Sequence, residues 1–117
     1  MVEIANNLTL FNGKLEDLNR QVAETNGLVV VDFFANWCPP CRRLSEYLPA
    51  IASENPKVLF IKINIDECRE LTNHYGINSI PHIKFLKADQ GSQIQELASI
   101  TGADLQQIKN KLQQFGG

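Results

Sequence analysis

The apolar residues of this chain come in runs of two periods, and the switches between them predict its elements. Leu8-Thr9-Leu10 alternates and predicts a short strand. Asn12 can cap a following helix in which Leu15, Leu18 and Val22 recur at i, i+3 and i+7. Asn26-Gly27 ends that helix, because glycine suits the left-handed residue after a last turn. Leu28-Val29-Val30-Val31-Asp32-Phe33-Phe34 is continuous and rich in β-branched and aromatic side chains, the pattern of a central strand covered on both faces. The next helix starts around Cys38 and Cys41. Pro39 and Pro40 are tolerated there, since the first helical N–H groups have no intrahelical partner to lose. Leu44, Tyr47, Leu48, Ile51 and Ala52 continue at helical spacing, and Pro49 within that pattern predicts a kink.

Residues 58–65 form a second apolar strand. Asp66 can cap a short helix in which Cys68, Leu71 and Tyr75 share a face, closed by Gly76. Residues 83–87 and 93–97 read as strands around Asp89-Gln90-Gly91, a turn that predicts an antiparallel hairpin. Asp104, with Gln107 three residues on, forms a capping box before Leu105, Ile108, Leu112 and Phe115. The order is β-α-β-α-β-α-β-β-α. Strands alternating with helices imply parallel crossovers, and the late hairpin adds an antiparallel edge. The expectation is a three-layer α/β fold with a mixed central sheet of about five strands and four helices. With no internal repeat and no long linker, residues 1–117 read as one domain.

Composition narrows the function classes. A chain of 117 residues can bury one core without cross-links or metals. Net charge is −2 with no block of like charges, so the clustered Lys and Arg of a nucleic-acid footprint are missing. No apolar run approaches the roughly 20 residues that span a bilayer. The first seven residues carry neither a basic segment nor an apolar stretch, so no secretory signal is expected and a cytoplasmic location is. Three cysteines are an odd number and too few for a disulfide scaffold. In a reducing compartment, closely spaced cysteines are more often catalytic or metal-binding than structural.

Trp37-Cys38-Pro39-Pro40-Cys41 carries the candidate chemistry. A cysteine at a helix N-terminus meets unpaired N–H groups and the positive end of the helix dipole, which favour the nucleophilic thiolate. A second cysteine three residues later lies one turn along the same face, close enough to attack the first sulfur. Such a pair can run a two-step exchange: Cys38 attacks a substrate disulfide, then Cys41 resolves the mixed disulfide. A structural disulfide and a metal site are the alternatives. A zinc site needs four ligands, and the other candidates, Cys68, His74 and His82, stand at spacings that match no common zinc pattern. No metal and no cofactor are expected. The pair follows an apolar strand and opens a helix, which favours redox chemistry.

At this point the chain resembles the thioredoxin family. Val31-Asp32-Phe33-Phe34-Ala35-Asn36-Trp37-Cys38-Pro39-Pro40-Cys41-Arg42 matches the family's active-site segment. Tyr75-Gly76-Ile77-Asn78-Ser79-Ile80-Pro81 matches a second signature, Thr101-Gly102-Ala103 a third, and Lys62-Ile63-Asn64-Ile65-Asp66 the strand between them. The similarity runs over residues 8–115. It implies a monomer that reduces disulfides in protein substrates, peroxiredoxins among them. It also implies a thioredoxin reductase that returns the electrons from NADPH.

The resemblance gives several residues a second reading. Asp32 interrupts an apolar strand, where a carboxylate is costly unless paired or neutral. It is either a charge at a strand end reaching water or, as in the family, a buried acid that takes a proton from Cys41 through water. Lys62 is by itself a strand lysine with its stem along the sheet, and in the family it sits near this acid. Trp37 is an ordinary half-buried aromatic or a shield for the thiolate that offers apolar contact to substrate. Pro81 is an edge residue or a family cis-proline that leaves the Ile80 backbone to pair with an extended substrate segment. Gly102 would let that segment approach, between Thr101 and Ala103. The three segments would form a shallow apolar groove suited to protein substrates.

Three features depart from the usual family pattern. Pro39 replaces the common Gly, which removes one N–H donor and stiffens the turn. The same Pro-Pro pair occurs in tryparedoxins and nucleoredoxins, whose domains carry insertions. The helix proline comes at Pro49, while Glu46 takes its usual place. His82 follows Pro81 where Thr is usual, and reads as a packed strand residue or as a source of pH sensitivity. Cys68 reads as an inert buried thiol, with regulatory oxidation or dimerisation as the alternative. A tryparedoxin-like or isomerase-like exchanger with another electron donor, and a non-catalytic binding module, remain as other functional readings.

Overall fold

Strand β2 (Val29–Phe34) is the hub of the structure, with five of its six residues buried. The computed structural model describes residues 6–89 and 93–116. Around β2 lie β1 (Leu8–Phe11), α1 (Leu15–Glu24), α2 (Pro39–Glu54), β3 (Leu59–Asn64), α3 (Arg69–His74), β4 (His82–Ala88), β5 (Ile94–Thr101) and α4 (Leu105–Phe115). The five strands form one sheet in the order β1-β3-β2-β4-β5. β3 runs parallel to both β1 and β2, whereas β4 is antiparallel to β2 and to β5. This is the mixed sheet of five strands and four helices that the alternating pattern implies.

The continuous apolar run of β2 feeds two separate half-cores. Val30 packs with Leu44, Leu48 and Ile51 of α2 and with Ile108 and Leu112 of α4. Val29, Val31 and Phe33 pack with Leu18 and Val22 of α1 and Leu71 of α3. Successive side chains on a strand point to opposite faces, so a strand buried on both sides must be apolar at every position. Asp32 is therefore the one place in β2 where the pattern breaks, and it breaks toward α2. Each fully buried apolar side chain here contributes about 1.5–3 kcal/mol relative to exposure.

The helix starts depart from the local signals, and tertiary contacts explain why. Lys14, not Asn12, caps α1: its N–H donates to Asp17 Oδ2 at 2.9 Å. The next free N–H, of Leu15, donates to Glu70 Oε1 of α3 at 2.9 Å, so a distant residue completes the cap. α1 ends at Glu24 with Thr25 as its C-cap, and Gly27 (φ +138°) serves the turn into β2 instead of closing the helix. α3 starts after Cys68 and not at Asp66, whose N–H donates to Asn64 Oδ1 at 2.9 Å. Gly76, at φ +64°, closes it as expected.

β5 extends well past the apolar run 93–97, as far as Thr101. Its register against β4 shifts between Phe85 and Leu86, where a β-bulge breaks the alternation that sequence patterning relies on. Of the expected turn, Gln90 and Gly91 lie outside the described residues. Its near end is closed by the Asp89 N–H on the Gln93 carbonyl at 2.9 Å. Asp104 Oδ1 accepts the Gln107 N–H at 3.1 Å to cap α4. The Gln107 side chain meets the Asp104 carboxylate at 2.9 Å and not its backbone N–H.

Candidate active site

The N-terminus of α2 projects from the end of β2, and Cys38 is its N-cap residue. Its Sγ accepts the Cys41 N–H at 3.3 Å. A side-chain acceptor at this position satisfies one of the N–H groups a helix leaves open, and a thiolate is a better acceptor than a thiol. Pro39 and Pro40 occupy the next two positions, where neither costs an intrahelical bond. One helical turn brings the Cys38 and Cys41 Cα atoms to 5.2 Å, and the two sulfurs form a disulfide. Both cysteines are buried.

Three other segments converge on this pair. The Ile80–Pro81 peptide is cis, and the Ile80 carbonyl lies 3.9 Å from Cys38 Sγ. Gly102, at φ +100°, donates its N–H to the Pro81 carbonyl at 2.8 Å, which brings the end of β5 against the proline loop. Thr101 pairs with His82 in the sheet, and Ala103 packs on the α2 and α4 side of the core. Trp37 is 64% exposed, more open than a half-buried aromatic. Its indole Nε1–H donates to Asp66 Oδ2 at 2.9 Å, which fixes the ring beside the disulfide. Sequence reading assigned Asp66 to a helix cap and missed this anchoring contact; a lone carboxylate just beyond a strand was its only signal.

Asp32 lies at 3% exposure, and neither carboxylate oxygen accepts a hydrogen bond. It does not reach solvent at a strand end. Burial pushes its pKa up to about 7, while the Lys62 ammonium pulls in the opposite direction. Asp32 and Lys62 are direct partners in the β2/β3 register. Lys62 nevertheless does not pair with it: Nζ donates to Ser45 Oγ at 2.6 Å and sits 4.6 Å from the centre of the Phe34 ring. A pocket of about 290 Å³ opens beside Cys41, lined by Phe34, Ala35, Asn36, Arg42, Ser45 and Lys62. Ser45 also escaped sequence reading, although it stands one turn beyond Cys41 on α2.

Of the remaining candidates, Cys68 lies in the α1 and α3 half-core, whereas His82 adjoins this centre, next to Pro81 and paired with Thr101. Cys68 is a buried free thiol among α1 and α3 core residues, its Sγ 3.8 Å from the Phe11 carbonyl. His82 Nε2 is 2.6 Å from Ser99 Oγ, and its Nδ1 is buried without a partner. Burial, and then Lys84, lower its pKa below the ordinary histidine value against an opposing pull from Glu96. Among the described residues, no three of His, Cys, Asp and Glu gather as metal ligands. No described helix is long and apolar enough to cross a membrane.

A cysteine pair opening a helix at the end of a central strand, over a mixed sheet, defines a thiol–disulfide oxidoreductase. The thioredoxin family model matches residues 10–114, and the chain belongs to that family. It is a thioredoxin-type protein-disulfide oxidoreductase. Thioredoxin H5 of Arabidopsis thaliana is 33% identical over 110 residues, covering 94% of this chain and 86% of that protein. A peptide-N(4)-(N-acetyl-beta-glucosaminyl)asparagine amidase of Caenorhabditis elegans is 35% identical over 104 residues, but this chain spans only 16% of its length. The solved structure of Trichomonas vaginalis thioredoxin superposes with a TM-score of 0.88 at 41% identity, over 93% of this chain and 97% of that one.

Proposed function

We propose that the protein reduces disulfides in protein substrates, with Cys38 as nucleophile and Cys41 as resolving thiol. The observation that carries the assignment is the N-cap position of Cys38, whose Sγ accepts the Cys41 N–H at 3.3 Å. The Cys38 thiolate attacks one substrate sulfur, the substrate S–S bond breaks, and the other substrate sulfur leaves as thiolate. Asp32 then takes the Cys41 proton through water, and Cys41 attacks Cys38 Sγ. That step releases the second substrate thiol and leaves the Cys38–Cys41 disulfide, so two electrons pass to the substrate. A thioredoxin reductase returns two electrons from NADPH.

Trp37, Ile80, Pro81, Thr101, Gly102 and Ala103 would bind the substrate backbone and its apolar side chains around Cys38. The 3.9 Å approach of the Ile80 carbonyl to the sulfur supports this placement. Lys62 acts on the energy of Asp32, and Pro39 and Pro40 set the stiffness and donor count of the turn. We read residues 1–117 as a thioredoxin domain of the Cys-Pro-Pro-Cys type that works in the cytoplasm.

Insulin reduction tests the reading, with dithiothreitol or with NADPH and thioredoxin reductase as donor. Turnover with both donors is expected. Turnover with dithiothreitol alone points to a different physiological donor, and none with either leaves a binding module. Cys41→Ser should accumulate a covalent adduct with substrate on Cys38; an adduct formed instead by Cys38→Ser would reverse the two roles.

A further inference from the structure

We propose that Ser45 is a positioning residue of this site: its hydroxyl holds the Lys62 ammonium in the pocket beside Cys41 and keeps it off Asp32. The consequence for exchange rests on the proton-transfer reading of Asp32 given above, whereas the positioning itself rests on geometry.

Asp32 and Lys62 stand opposite one another on neighbouring parallel strands. Both point toward α2, as do Val30 and Phe60 two residues before them. Strands lie about 4.8 Å apart, so a lysine stem easily spans to its neighbour's carboxylate. The carboxylate nevertheless accepts no hydrogen bond, and the ion pairs among the described residues, Arg20–Asp17 and Lys84–Glu96, do not include it. Lys62 Nζ goes instead to Ser45 Oγ at 2.6 Å and lies over the Phe34 ring at 4.6 Å.

The space on either side of Lys62 shows why this arrangement holds. On the Asp32 side the free volume is about 10 Å³, enclosed by apolar residues including Leu48, Ile83 and Ile108. That is near the minimum for a single water, so an ammonium moved there would have to shed its hydration. On the Cys41 side the pocket of about 290 Å³ is open, and Ser45 and Phe34 both line it. Lys62 borders both spaces, with its ammonium bonded to Ser45 on the Cys41 side. The two placements compete, hydration and the Ser45 hydroxyl against the carboxylate charge. Removing the hydroxyl withdraws one acceptor from the outer placement only.

The groups facing Asp32 are few. Ile83 of β4, Leu48 of α2, Ile108 of α4 and Leu8 of β1 are apolar, and Lys62 is the charged one among the described residues. The Cys41 sulfur lines the pocket beyond Lys62 and titrates only when the disulfide is open. An acid held near pH 7 can take and release a proton under neutral conditions. The same acid paired to a lysine would remain ionised and lose that capacity.

The test follows the Asp32 carboxyl carbon by NMR against pH in the oxidised protein, where neither Cys38 nor Cys41 titrates. Ser45→Ala, a helix-favouring change, should lower the Asp32 midpoint by about one pH unit. Ser45→Thr should restore the parent value. In a Lys62→Met background, Ser45→Ala should have no effect, because the two act as one unit. An unchanged or raised midpoint in Ser45→Ala, or the same fall without Lys62, would overturn the proposal. The resolution step is then measured separately as the pH profile of mixed-disulfide release. If the Asp32 midpoint moves but that profile does not, positioning by Ser45 stands and the proton-transfer role of Asp32 falls.

Discussion

Two lysines enter the sheet from β3 and β4 and end in opposite layers, and they meet different partners. Lys84 is buried, and its Nζ lies 2.9 Å from Glu96 Oε1 on the adjacent strand and 5.9 Å from the Tyr75 ring. Lys62 also lies over an aromatic ring, but its neighbouring carboxylate, Asp32, stays unpaired. The first lysine has its charge cancelled across the sheet, as burial normally demands. The second leaves an acid buried and unpaired, its desolvation only partly offset by Lys62, which also borders the pocket lined by Cys41. The contrast separates a structural ion pair from a site that keeps a titratable group poised. Perturbed acids of this kind are a recurring feature of catalytic centres.

The largest effect expected from breaking this contrast is at Asp32. Its folded pKa is about 7, against an ordinary value of 3.8, so the folded state binds its proton more tightly than the unfolded state does. The parent protein should therefore lose stability as pH rises from about 4 to about 7 and level off above. Asp32→Asn removes the cost of ionising a buried carboxylate. Above pH 7 it should be more stable by on the order of 4 kcal/mol at most, a gain that fades toward pH 4. Urea unfolding of both proteins at pH 4 and pH 8 measures this; equal midpoints at pH 8 would contradict it. The same variant should resolve mixed disulfides more slowly at neutral pH, read by stopped flow.

A smaller effect is expected on the other face. Glu96→Gln leaves the buried Lys84 ammonium with only a neutral acceptor, so it should cost on the order of 2–3 kcal/mol in urea unfolding. It should also lower the His82 pKa further, since the Glu96 charge is what raises it. The histidine proton signals against pH would report that change. The smallest effect belongs to Lys84→Met, which leaves Glu96 without its partner, but Glu96 is 43% exposed and recovers water. The loss should be roughly 1 kcal/mol in urea unfolding, with the Asp32 titration unmoved. A shift of the Asp32 midpoint in Lys84→Met would show that the two layers are coupled through the sheet.

Much of this was legible in the chain itself. The unbroken apolar run of β2 announces a strand covered on both faces, and the interruption at Asp32 marks the buried acid. The two prolines between Cys38 and Cys41 mark a helix start, because only the first turn tolerates missing N–H groups. Less legible were the elements whose limits depend on distant partners. Glu70 of α3 completes the cap of α1, and the bulge opposite Phe85 and Leu86 lets β5 run to Thr101. No residue near either site in the sequence carries that information.

The linear order of residues thus determined the layer architecture, the position of the two cysteines on one helical turn and the presence of an acid in the strand that leads to them. These follow from periodicity, helix-terminus chemistry and the cost of burying charge, all of which act over a few neighbouring residues. Tertiary structure alone decided which groups meet: Trp37 with Asp66, Pro81 with Gly102, and Lys62 with Ser45 in place of Asp32. Those contacts join residues far apart in the chain, and the choice between them depends on the space and water around each side chain. That local volume exists only once the sheet and α2 have packed.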